Sequence, residues 1–439
     1  MHNLSYDRDP NGRIKVGPYD LVDLVHRFGS PLYIYDFDRL RGIYQHLQGK
    51  LHSAIQIYYA VKANPNPDIV KQYVEMGAGF DLSSAEEMRL VLNLGGDPSR
   101  MSFAGPGKRD EELKEAMAAH VGMLSVESIS ELVSIGEIAR LTKRRTEVTL
   151  RVNPRQGAQG FSIRMGGGPS PFGIDEEQIA EVMSLIQRSN WLEVKGLHVF
   201  SGTQSLDAAA IVENIQNILR IAEQCHANYG LKFEIINIGG GLGVSYHQEE
   251  KGLDEAQLVT GINSAIGAYL KGHPGTRFVL ELGRYLVASS GIYVATVVRK
   301  KESRGITFLI LDGGMNHYLA ASGNLGQGFR KNFPVLHGTK TNQEGKNQRY
   351  HVAGPLCTPI DRMASDVQLP IMEVGDLLVF PLAGAYAYTA SPLQFLSHPA
   401  PAEIAIRGNE VFKIRNRIDC WHRAGDNDIE ASLKWNPAG

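Results

Sequence analysis

Lys62, His198, Glu281 and the triplet Gly239–Gly241 each lie in or directly after an apolar, strand-like run. A lysine amine that is partly desolvated has a lowered pKa, and it can form a Schiff base. Consecutive glycines after a buried strand expose backbone N–H groups that can cradle a phosphate. A buried glutamate needs a cation or a protonated heterocycle as its partner. A Ser-Gly turn directly after the histidine run favours a ring that faces a ligand.

Each of these features also has an ordinary structural explanation. A lysine at a strand end most often extends to solvent, and glycines also make plain tight turns. A histidine in an apolar strand is usually a satisfied core residue, and Glu281 could pair with Arg284 or a lysine. One ligand would use all four features, because pyridoxal phosphate needs a Schiff-base lysine, a phosphate cradle, a ring-stacking group and an acid at its pyridine nitrogen. We therefore predict pyridoxal 5'-phosphate as the cofactor.

The elements that must position these residues alternate along residues 36–284. Continuous apolar strands that alternate with amphipathic helices predict parallel strands with right-handed crossovers. Eight such units are typical of an α/β fold, the (β/α)8 TIM barrel, whose chemistry lies at the C-terminal strand ends. A doubly wound open sheet competes, but no glycine-rich turn follows the first strand. The predicted strands are 56–64, 79–83, 101–104, 123–126, 147–153, 193–200, 233–238 and 277–281.

The sequence pattern changes after Arg284, where strands and helices no longer alternate. Short β-rich runs separated by Gly, Pro and Asn turns predict a C-terminal all-β domain, of sandwich or barrel type. The opening segment is also strand-like around residues 31–35 and is expected to join it. We therefore predict a barrel domain at residues 36–284 and a β domain made of residues 1–35 and 285–439.

Composition excludes several classes of protein. The 439 residues include 45 Lys and Arg against 47 Asp and Glu, which argues against nucleic-acid binding. The apolar runs are of strand length, so we expect no membrane span. The first ten residues lack a signal-peptide core, which predicts a cytoplasmic enzyme. Cys225, Cys357 and Cys420 are too widely spaced for a disulfide framework or a zinc site, and we expect no metal.

Several motifs resemble those of the fold-type III pyridoxal-phosphate decarboxylases, a family that includes diaminopimelate and ornithine decarboxylases. The similarity covers nearly the whole chain, and it implies a homodimer with shared active sites. The motifs are residues 59–64 (Tyr-Ala-Val-Lys-Ala-Asn), 79–87 (Gly-Phe-Asp-Leu-Ser-Ser-Ala-Glu-Glu), 281–284 (Glu-Leu-Gly-Arg, with Leu282 in place of proline), 354–357 (Gly-Pro-Leu-Cys) and 384–386 (Gly-Ala-Tyr).

The resemblance assigns roles to residues of this chain. It implies that Lys62 carries the cofactor, that the His198 ring stacks on it and that Glu281 keeps its pyridine nitrogen protonated. It implies a catalytic cysteine, Cys357, that reaches into the partner subunit's active site. The remaining cofactor contacts that it implies are Asp81, Ser201, Gly239, Gly240, Gly241 and Tyr386.

The substrate pocket departs from the family pattern. Relatives carry an acid after the cysteine that helps to hold a distal ammonium group, whereas this chain has Thr358. This departure argues against lysine, ornithine and diaminopimelate as substrates. Arg284 and Arg330 are candidates for binding a substrate carboxylate or carbonyl, and surface salt bridging is the alternative for Arg330. Thr358 and Asp361 complete the predicted substrate-binding set.

Three further stretches resemble a narrower subgroup of decarboxylases from biosynthetic clusters. They are residues 312–317, 320–324 and 391–399. The subgroup includes enzymes that act on siderophore precursors and on glutamate attached to an acyl carrier protein, and exosortase-associated decarboxylases. The resemblance therefore implies an amino acid, or an intermediate derived from one, as substrate, with an acyl carrier protein as a candidate partner.

We predict a pyridoxal-phosphate-dependent decarboxylase, with three alternatives left open. The first is diaminopimelate decarboxylase proper. The second is an amino-acid racemase on the same barrel, against which Glu281 argues because alanine racemases place an arginine at the pyridine nitrogen. The third is a catalytically dead binding protein, against which the presence of Lys62, His198, Glu281 and Cys357 argues.

Overall fold

The computed structural model describes residues 6–419 except for 11, 158, 248, 326–330 and 340–346. The chain forms two compact units. The first contains Asp36–Gly291 and the short segment Leu382–Tyr386. The second contains Tyr6–Tyr35, Ile292–Pro381 and the chain from Ala387 onward. The sequence prediction placed the segment Leu382–Tyr386 in the β domain. Its contacts assign it to the barrel unit instead.

The first unit is a closed barrel of eight parallel strands. Each strand pairs with its neighbours in sequence, and the eighth strand pairs with the first. This closure confirms the predicted fold class. The eight strands are Ile55–Ala60, Gly79–Leu82, Met101–Phe103, Met123–Val126, Thr146–Asn153, Leu192–His198, Ile235–Gly240 and Arg277–Leu282.

Helices cover the barrel and begin at side chains that accept backbone N–H groups. Ser84 and Ser128 cap helices in this way, and Asp207 accepts two N–H groups at the start of the longest one. Among the residues described, no helix is both long and apolar enough to cross a membrane. The helices of this unit are Phe37–Lys50, Pro67–Glu75, Ala85–Asn93, Asp110–Ala118, Ile129–Thr142, Ile179–Gln187, Ala208–Tyr229, Glu255–Leu270 and Arg284–Val287.

Tyr58 lies at the centre of an apolar layer inside the barrel. Its ring packs with Met123, Ile235 and Val279 from other strands, and all four side chains are buried. Gly79 lies against this ring, because a Cβ there would lie 2.2 Å from a ring carbon. The polar side chains discussed below come from the strand ends beyond this layer, at the C-terminal end of the barrel, which we call the barrel mouth.

The second unit is a largely antiparallel β structure around its own apolar core. Its strands are Lys15–Val16, Tyr19–Asp20, Leu32–Asp36, Gly291–Ser303, Ile306–Leu311, Leu336–His337, Asn347–Ala353, Arg362–Pro370, Leu377–Phe380, Ala402–Arg407 and Glu410–Arg415. The sequence prediction missed Arg362–Pro370, where Asp366 at φ 52° interrupts the alternation of the strand. It also missed the helix Leu21–Phe28, which Asp20 caps.

Candidate active site

Lys62 lies just past the end of the first barrel strand, in the short 3-10 turn Val61–Ala63. Its Nζ donates to Asp81 Oδ2 at 3.0 Å and lies 5.7 Å from the ring centre of Phe200. Asp81 faces Ala60 in the register of the first two strands. The Lys62 side chain is 42% exposed, while that of Asp81 is 3% exposed. The amine is therefore reachable from solvent and is held by a buried acid.

The sequence prediction of a lowered pKa for Lys62 is wrong for this structure. Burial does act to lower the pKa of Lys62, but the neighbouring charges of Asp81, Tyr386 and Glu281 outweigh it and raise the pKa well above its usual value. Burial and the charge of Glu281 in turn raise the pKa of Asp81. The prediction considered only the effect of burial on the amine. It left out Asp81, an acid on the second strand that lies beside the amine and raises its pKa.

Glu281 lies on the eighth strand, fully inside the barrel mouth. Its Oε1 accepts hydrogen bonds from the Asn237 amide and, at 3.3 Å, from the Ser102 hydroxyl. His198 Nε2 lies 3.5 Å from Oε2. Burial acts to raise the pKa of Glu281, but His198, Lys62 and Asn237 together hold it well below its usual range. Glu281 is therefore ionised at neutral pH, and its partners differ from the Arg284 pair considered above.

Two buried polar atoms near these residues have no hydrogen-bond partner. His198 Nδ1 contacts the Ser125 hydroxyl at 3.0 Å. His198 Nε2 makes no hydrogen bond and has only the contact with Glu281 Oε2 at 3.5 Å, and Ser201 Oγ makes no hydrogen bond either. Both residues are buried, with at most 3% of their surface exposed. An unpaired buried polar atom is costly. The Ser201 hydroxyl, which has no such charged neighbour, therefore indicates a polar ligand that would satisfy it.

The glycine triplet ends the seventh strand and packs closely on the two neighbouring strand ends. A Cβ at Gly240 would lie 1.7 Å from the Glu281 carbonyl oxygen, and one at Gly241 would lie 2.3 Å from that of Gly202. Gly239 and Gly241 also have positive φ angles, of 66° and 82°. The glycines are therefore required by the backbone itself, which brings this loop beside the Ser201 segment.

Asn237 fixes the triplet to the glutamate. Its Oδ1 accepts the Gly239 N–H at 2.9 Å, and its Nδ2 donates to Glu281. The sequence prediction missed this residue, although an amide two residues before a glycine triplet at a strand end is a readable signal. One side chain thus sets both the start of the loop and the orientation of the acid.

Arg284 lies between two tyrosine rings at the barrel mouth. Its guanidinium carbon is 4.6 Å from the ring centre of Tyr386 and 5.5 Å from that of Tyr246. Nη1 donates to Tyr246 Oη at 2.9 Å. Such cation–π contacts keep the planar cation oriented. Arg284 is thus part of the same site and has a fixed orientation. Arg330, the other predicted candidate, lies outside the described residues.

Tyr386 reaches the barrel mouth because its segment is tied to the loop after Lys62. The Tyr386 N–H donates to the Ala63 carbonyl at 2.8 Å, and the Asn64 amide donates to the Gly384 carbonyl at 2.9 Å. A Cβ at Gly384 would lie 1.8 Å from the Val287 carbonyl oxygen, so only glycine fits. These backbone contacts hold Tyr386, predicted from the resemblance as a cofactor contact, beside the loop that follows Lys62.

A buried ionic pair borders the site and was missed by the sequence prediction. Arg151 Nη1 donates to Glu127 Oε1 at 2.5 Å, and both side chains are at most 8% exposed. Glu127 also accepts the N–H groups of Gly105 and Gly173. Arg151 is the register neighbour of His198. Glu281 was predicted as a site residue because it is a charged residue near the end of a barrel strand. The same criterion would have identified Glu127 and Arg151.

Tyr285, next to Arg284, connects the eighth strand to the outer helices. Its hydroxyl donates to Glu255 Oε2 at 2.9 Å. The other oxygen of Glu255 contacts His46 Nε2 at 2.6 Å and Lys50 Nζ at 2.9 Å. Burial opposes ionisation, but these three donors lower the pKa of Glu255 to about 2. The start of the helix Arg284–Val287 is therefore anchored by a charged group.

Cys357 lies in the second unit, on an exposed loop between the strands Asn347–Ala353 and Arg362–Pro370. The Thr358 N–H donates to the Leu356 carbonyl at 2.8 Å, and Thr358 is half-buried. Asp361 is 3% exposed, and its two oxygens accept the N–H groups of Met315 and Leu356. The thiol is thus presented to solvent, while Asp361 is turned into the protein.

The residues of the barrel mouth fit pyridoxal phosphate. A reachable lysine amine can take its aldehyde, and an ionised buried acid can hold a proton on its ring nitrogen. The unpartnered Ser201 hydroxyl beside the glycine loop can take a phosphate oxygen. Among the described residues, no three His, Cys, Asp or Glu side chains are arranged to hold a metal ion.

Comparison with known proteins agrees with this class of site. The family model described as "Pyridoxal-dependent decarboxylase, pyridoxal binding domain" matches residues 38–288. The L-glutamyl-[BtrI acyl-carrier protein] decarboxylase of Niallia circulans is 35% identical over 401 residues, covering 91% of this chain and 94% of that protein. The diaminopimelate decarboxylase of Methanothermobacter thermautotrophicus is 32% identical, with coverage of 92% and 93%.

Solved structures show the same likeness over both units. The crystal structure of diaminopimelate decarboxylase from Helicobacter pylori complexed with L-lysine matches with a TM-score of 0.82 at 28% identity, covering 91% of this chain and 97% of that one. A lysine/ornithine decarboxylase from Vibrio vulnificus, complexed with putrescine, matches with a TM-score of 0.74 at 25% identity. The likeness to that chain covers 88% of this one and 98% of its own length.

The closed barrel and its lysine, acid and glycine loop define a pyridoxal-phosphate enzyme. The extent of the family match and the 35% identity over most of the chain narrow this class further. The chain belongs to the pyridoxal-dependent decarboxylases, and it is a carboxy-lyase that acts on an amino acid or on a derivative of one. The predicted cofactor and reaction class are confirmed.

Proposed function

We propose that this enzyme removes the α-carboxylate of an amino acid whose side chain lacks a distal ammonium group, with Lys62 as the residue that holds the cofactor. The observation that carries the proposal is the ionised carboxylate of Glu281, fixed by Asn237 and Ser102 and facing His198. When bound, pyridoxal phosphate accepts the electron pair that is released when the bond between Cα and the carboxylate breaks. An acid that keeps its ring nitrogen protonated makes that sink strongest, which favours decarboxylation over racemisation.

The other residues of the barrel mouth have distinct proposed roles. Asp81 orients the Lys62 amine and takes up its proton when the amine must become neutral. Ser201 and the loop Gly239–Gly241 bind the phosphate. Arg284, held between its two tyrosines, binds a carboxylate or carbonyl group of the substrate or a phosphate oxygen. His198, which Ser125 keeps in place, would contact the cofactor ring.

We propose that Cys357 delivers the proton to Cα after carbon dioxide leaves. Its thiol is exposed on its own subunit, which suits a group that acts in a neighbouring one. The proposal therefore includes a homodimer in which each active site takes Cys357 from the partner. General acid catalysis by a positioned thiol typically contributes about 10²–10⁴-fold to the rate.

The proposed substrate is an L-glutamyl group attached to an acyl carrier protein. Its support is the relative at 35% identity, whose name states that activity, together with Thr358. A threonine supplies no negative charge for a distal ammonium group, and glutamate has none. Diaminopimelate decarboxylation is the second candidate, because several relatives carry that name. A cytoplasmic location and the subunit arrangement stay predictions.

Borohydride reduction tests the cofactor site. The purified protein with pyridoxal phosphate should be yellow, and reduction should leave one stable adduct, which peptide mass spectrometry places on Lys62. The variant Lys62→Met should take up none. The matched control Lys71→Met, on the outer helix Pro67–Glu75, should keep the adduct. A colourless protein without an adduct would contradict the proposed site.

Carbon dioxide release over a substrate panel tests the reaction. The panel holds free glutamate, lysine, ornithine, diaminopimelate and an L-glutamyl carrier-protein thioester. Release should be fastest with the thioester, and Thr358→Glu should lower that rate and raise the rate with diaminopimelate. Fast release from free diaminopimelate by the wild type would reject the proposed substrate. Exchange of the Cα hydrogen without carbon dioxide release would indicate a racemase.

A further inference from the structure

Three stretches of the second unit are not explained by the site described above. They are residues 312–317, 320–324 and 391–399. The structure brings them into contact with one another: His317 Nε2 donates to the Pro399 carbonyl at 3.0 Å, and Asn324 Nδ2 contacts Met315 Sδ at 4.0 Å. They also contact the loop of residues 354–361, which we call the cysteine loop because it carries Cys357.

Asp361 is the main contact between the first stretch and the cysteine loop. Its Oδ1 accepts the Met315 N–H at 2.7 Å, and its Oδ2 accepts the Leu356 N–H at 2.8 Å. The carboxylate lies between two glycines, since a Cβ at Gly314 or Gly354 would lie 2.2 or 2.3 Å from its oxygens. Hydrogen bonds from backbone N–H groups to a carboxylate are stronger than neutral ones. The Asp361 side chain therefore joins the first stretch, through Met315, to the start of the cysteine loop, through Leu356.

A second contact holds the outer part of the loop. Asn324 Nδ2 donates to the Ile360 carbonyl at 3.1 Å and to the Ser322 hydroxyl at 2.8 Å. The loop also closes on itself, because the Gly354 N–H donates to the Asp361 carbonyl at 3.2 Å. Backbone groups outside strands need such partners to stay ordered. Cys357 is thus exposed on a loop that is fixed at both ends.

This arrangement differs from the predicted role of Asp361 as a substrate ligand. Both carboxylate oxygens are used by backbone N–H groups, and the residue is 3% exposed. We propose instead that Asp361 and Asn324 are positioning residues that hold the cysteine loop, and with it the Cys357 thiol, in one orientation. The proposal rests on the proposed catalytic role of Cys357, but the loop contacts themselves do not depend on that role.

Hydrogen exchange tests the contacts independently of catalysis. In Asp361→Asn, one N–H group of the pair faces an amide N–H₂ instead of an acceptor. Peptides that cover residues 312–324 and 354–361 of the dimer should therefore exchange at least tenfold faster than in wild type. Asp366→Asn is the matched control, because Asp366 is exposed and pairs with surface Arg349; it should leave both peptides unchanged. Unchanged exchange in Asp361→Asn would overturn the proposal.

A kinetic cycle tests whether Asp361 acts through Cys357. With the panel substrate that releases carbon dioxide fastest, Asp361→Asn should lower kcat about tenfold and change KM by less than twofold. In the Cys357→Ala background, the same change should alter kcat by less than twofold, because the group being positioned is gone. An equal loss of kcat in both backgrounds would overturn the proposal. A wild-type rate in Cys357→Ala would instead reject the proposed role of the thiol and leave the exchange result to decide on the contacts.

A milder variant covers the case in which Asp361→Asn does not fold. Asn324→Ala removes the donor to the Ile360 carbonyl and leaves the buried carboxylate in place. It should speed exchange in residues 354–361 about threefold and lower kcat in the same direction as Asp361→Asn, with an unchanged KM. A protein that folds normally and shows neither change would refute the positioning role of the second stretch.

Discussion

Asn237 offers the sharpest test of how the barrel mouth is built. The side chain is fully buried, and it accepts the Gly239 N–H while donating to Glu281. Asn237→Leu keeps the volume of the side chain and removes both hydrogen bonds. The substitution therefore leaves a neutral donor and a carboxylate oxygen without this partner, inside a region that excludes water.

The expected cost follows from these two lost contacts. A buried N–H group that loses its acceptor costs about 1–3 kcal/mol, and a hydrogen bond to a charged group contributes about 1.5–3 kcal/mol. Ser102 still donates to Glu281, so the second contribution is reduced. We expect the barrel of Asn237→Leu to be less stable than that of the wild type by about 3 kcal/mol.

The loss should also depend on pH. Asn237 helps to lower the pKa of Glu281 below its ordinary value of 4.5. A group whose pKa is lowered by folding stabilises the protein above its unfolded pKa, and this contribution disappears as the pH falls through the folded value. The difference between wild type and Asn237→Leu should therefore be largest near pH 7 and should shrink below about pH 4.5.

Urea denaturation can measure this difference in the barrel alone. Trp191 lies directly before the sixth barrel strand, and replacing Trp421 and Trp435 with Phe leaves it as the one fluorescent tryptophan. Asn93→Ala is the control, because Asn93 is exposed at the end of its helix and should change stability by less than about 0.5 kcal/mol. A loss below about 1 kcal/mol in Asn237→Leu, or one that grows as the pH falls, would refute the reasoning.

Three further predictions follow from single side chains or glycines. Folding lowers the pKa of Glu255 from 4.5 to about 2, and solvent screening reduces the stability gained from this partly exposed group to on the order of 1 kcal/mol. The wild type should therefore lose an advantage of about that size over Glu255→Gln as the pH falls through that window, measured by unfolding at each pH. Burial lowers the pKa of His317 from 6.5 to about 4, so the native state resists its protonation; stability should fall from pH 6.5 to 4 in wild type and less in His317→Gln. Gly240→Ala should lower the yield of the borohydride adduct at least tenfold, since its Cβ would meet the Glu281 carbonyl, whereas Gly252→Ala, with open space around it, should not.

Much of the barrel could be predicted because its signal is local. Apolar runs and amphipathic stretches alternate with the periods of strands and helices, and the predicted strands agree with the observed ones to within a few residues. The first strand is an instructive exception. It was predicted to continue to Asn64 but ends at Ala60, because residues 61–63 turn into a 3-10 helix. Lys62 is therefore placed by a turn, which strand alternation could not show.

The parts that could not be predicted depend on contacts between distant residues. The sequence gives no local sign that Asn64 donates to Gly384, 320 residues further along the chain, or that Tyr386 follows the loop after Lys62. The charge on Lys62 was misjudged for the same reason. Its pKa is decided by Asp81 on the next strand, and a prediction from burial alone has the opposite sign.

Loops at and around the proposed site are held by buried polar side chains that accept backbone N–H groups, which explains why these side chains matter although they have no proposed chemical role. Asn237 accepts a backbone N–H of the glycine loop, Asp361 accepts two at the base of the cysteine loop, and Glu127 accepts those of Gly105 and Gly173. Strands pair their backbone groups through the ladder, whereas many backbone groups of a loop need a side chain as their partner. A buried Asn, Asp or Glu directly at a strand end or loop base is therefore the sequence feature to examine, and its loss should disturb the orientation of the group it holds before it disturbs the fold.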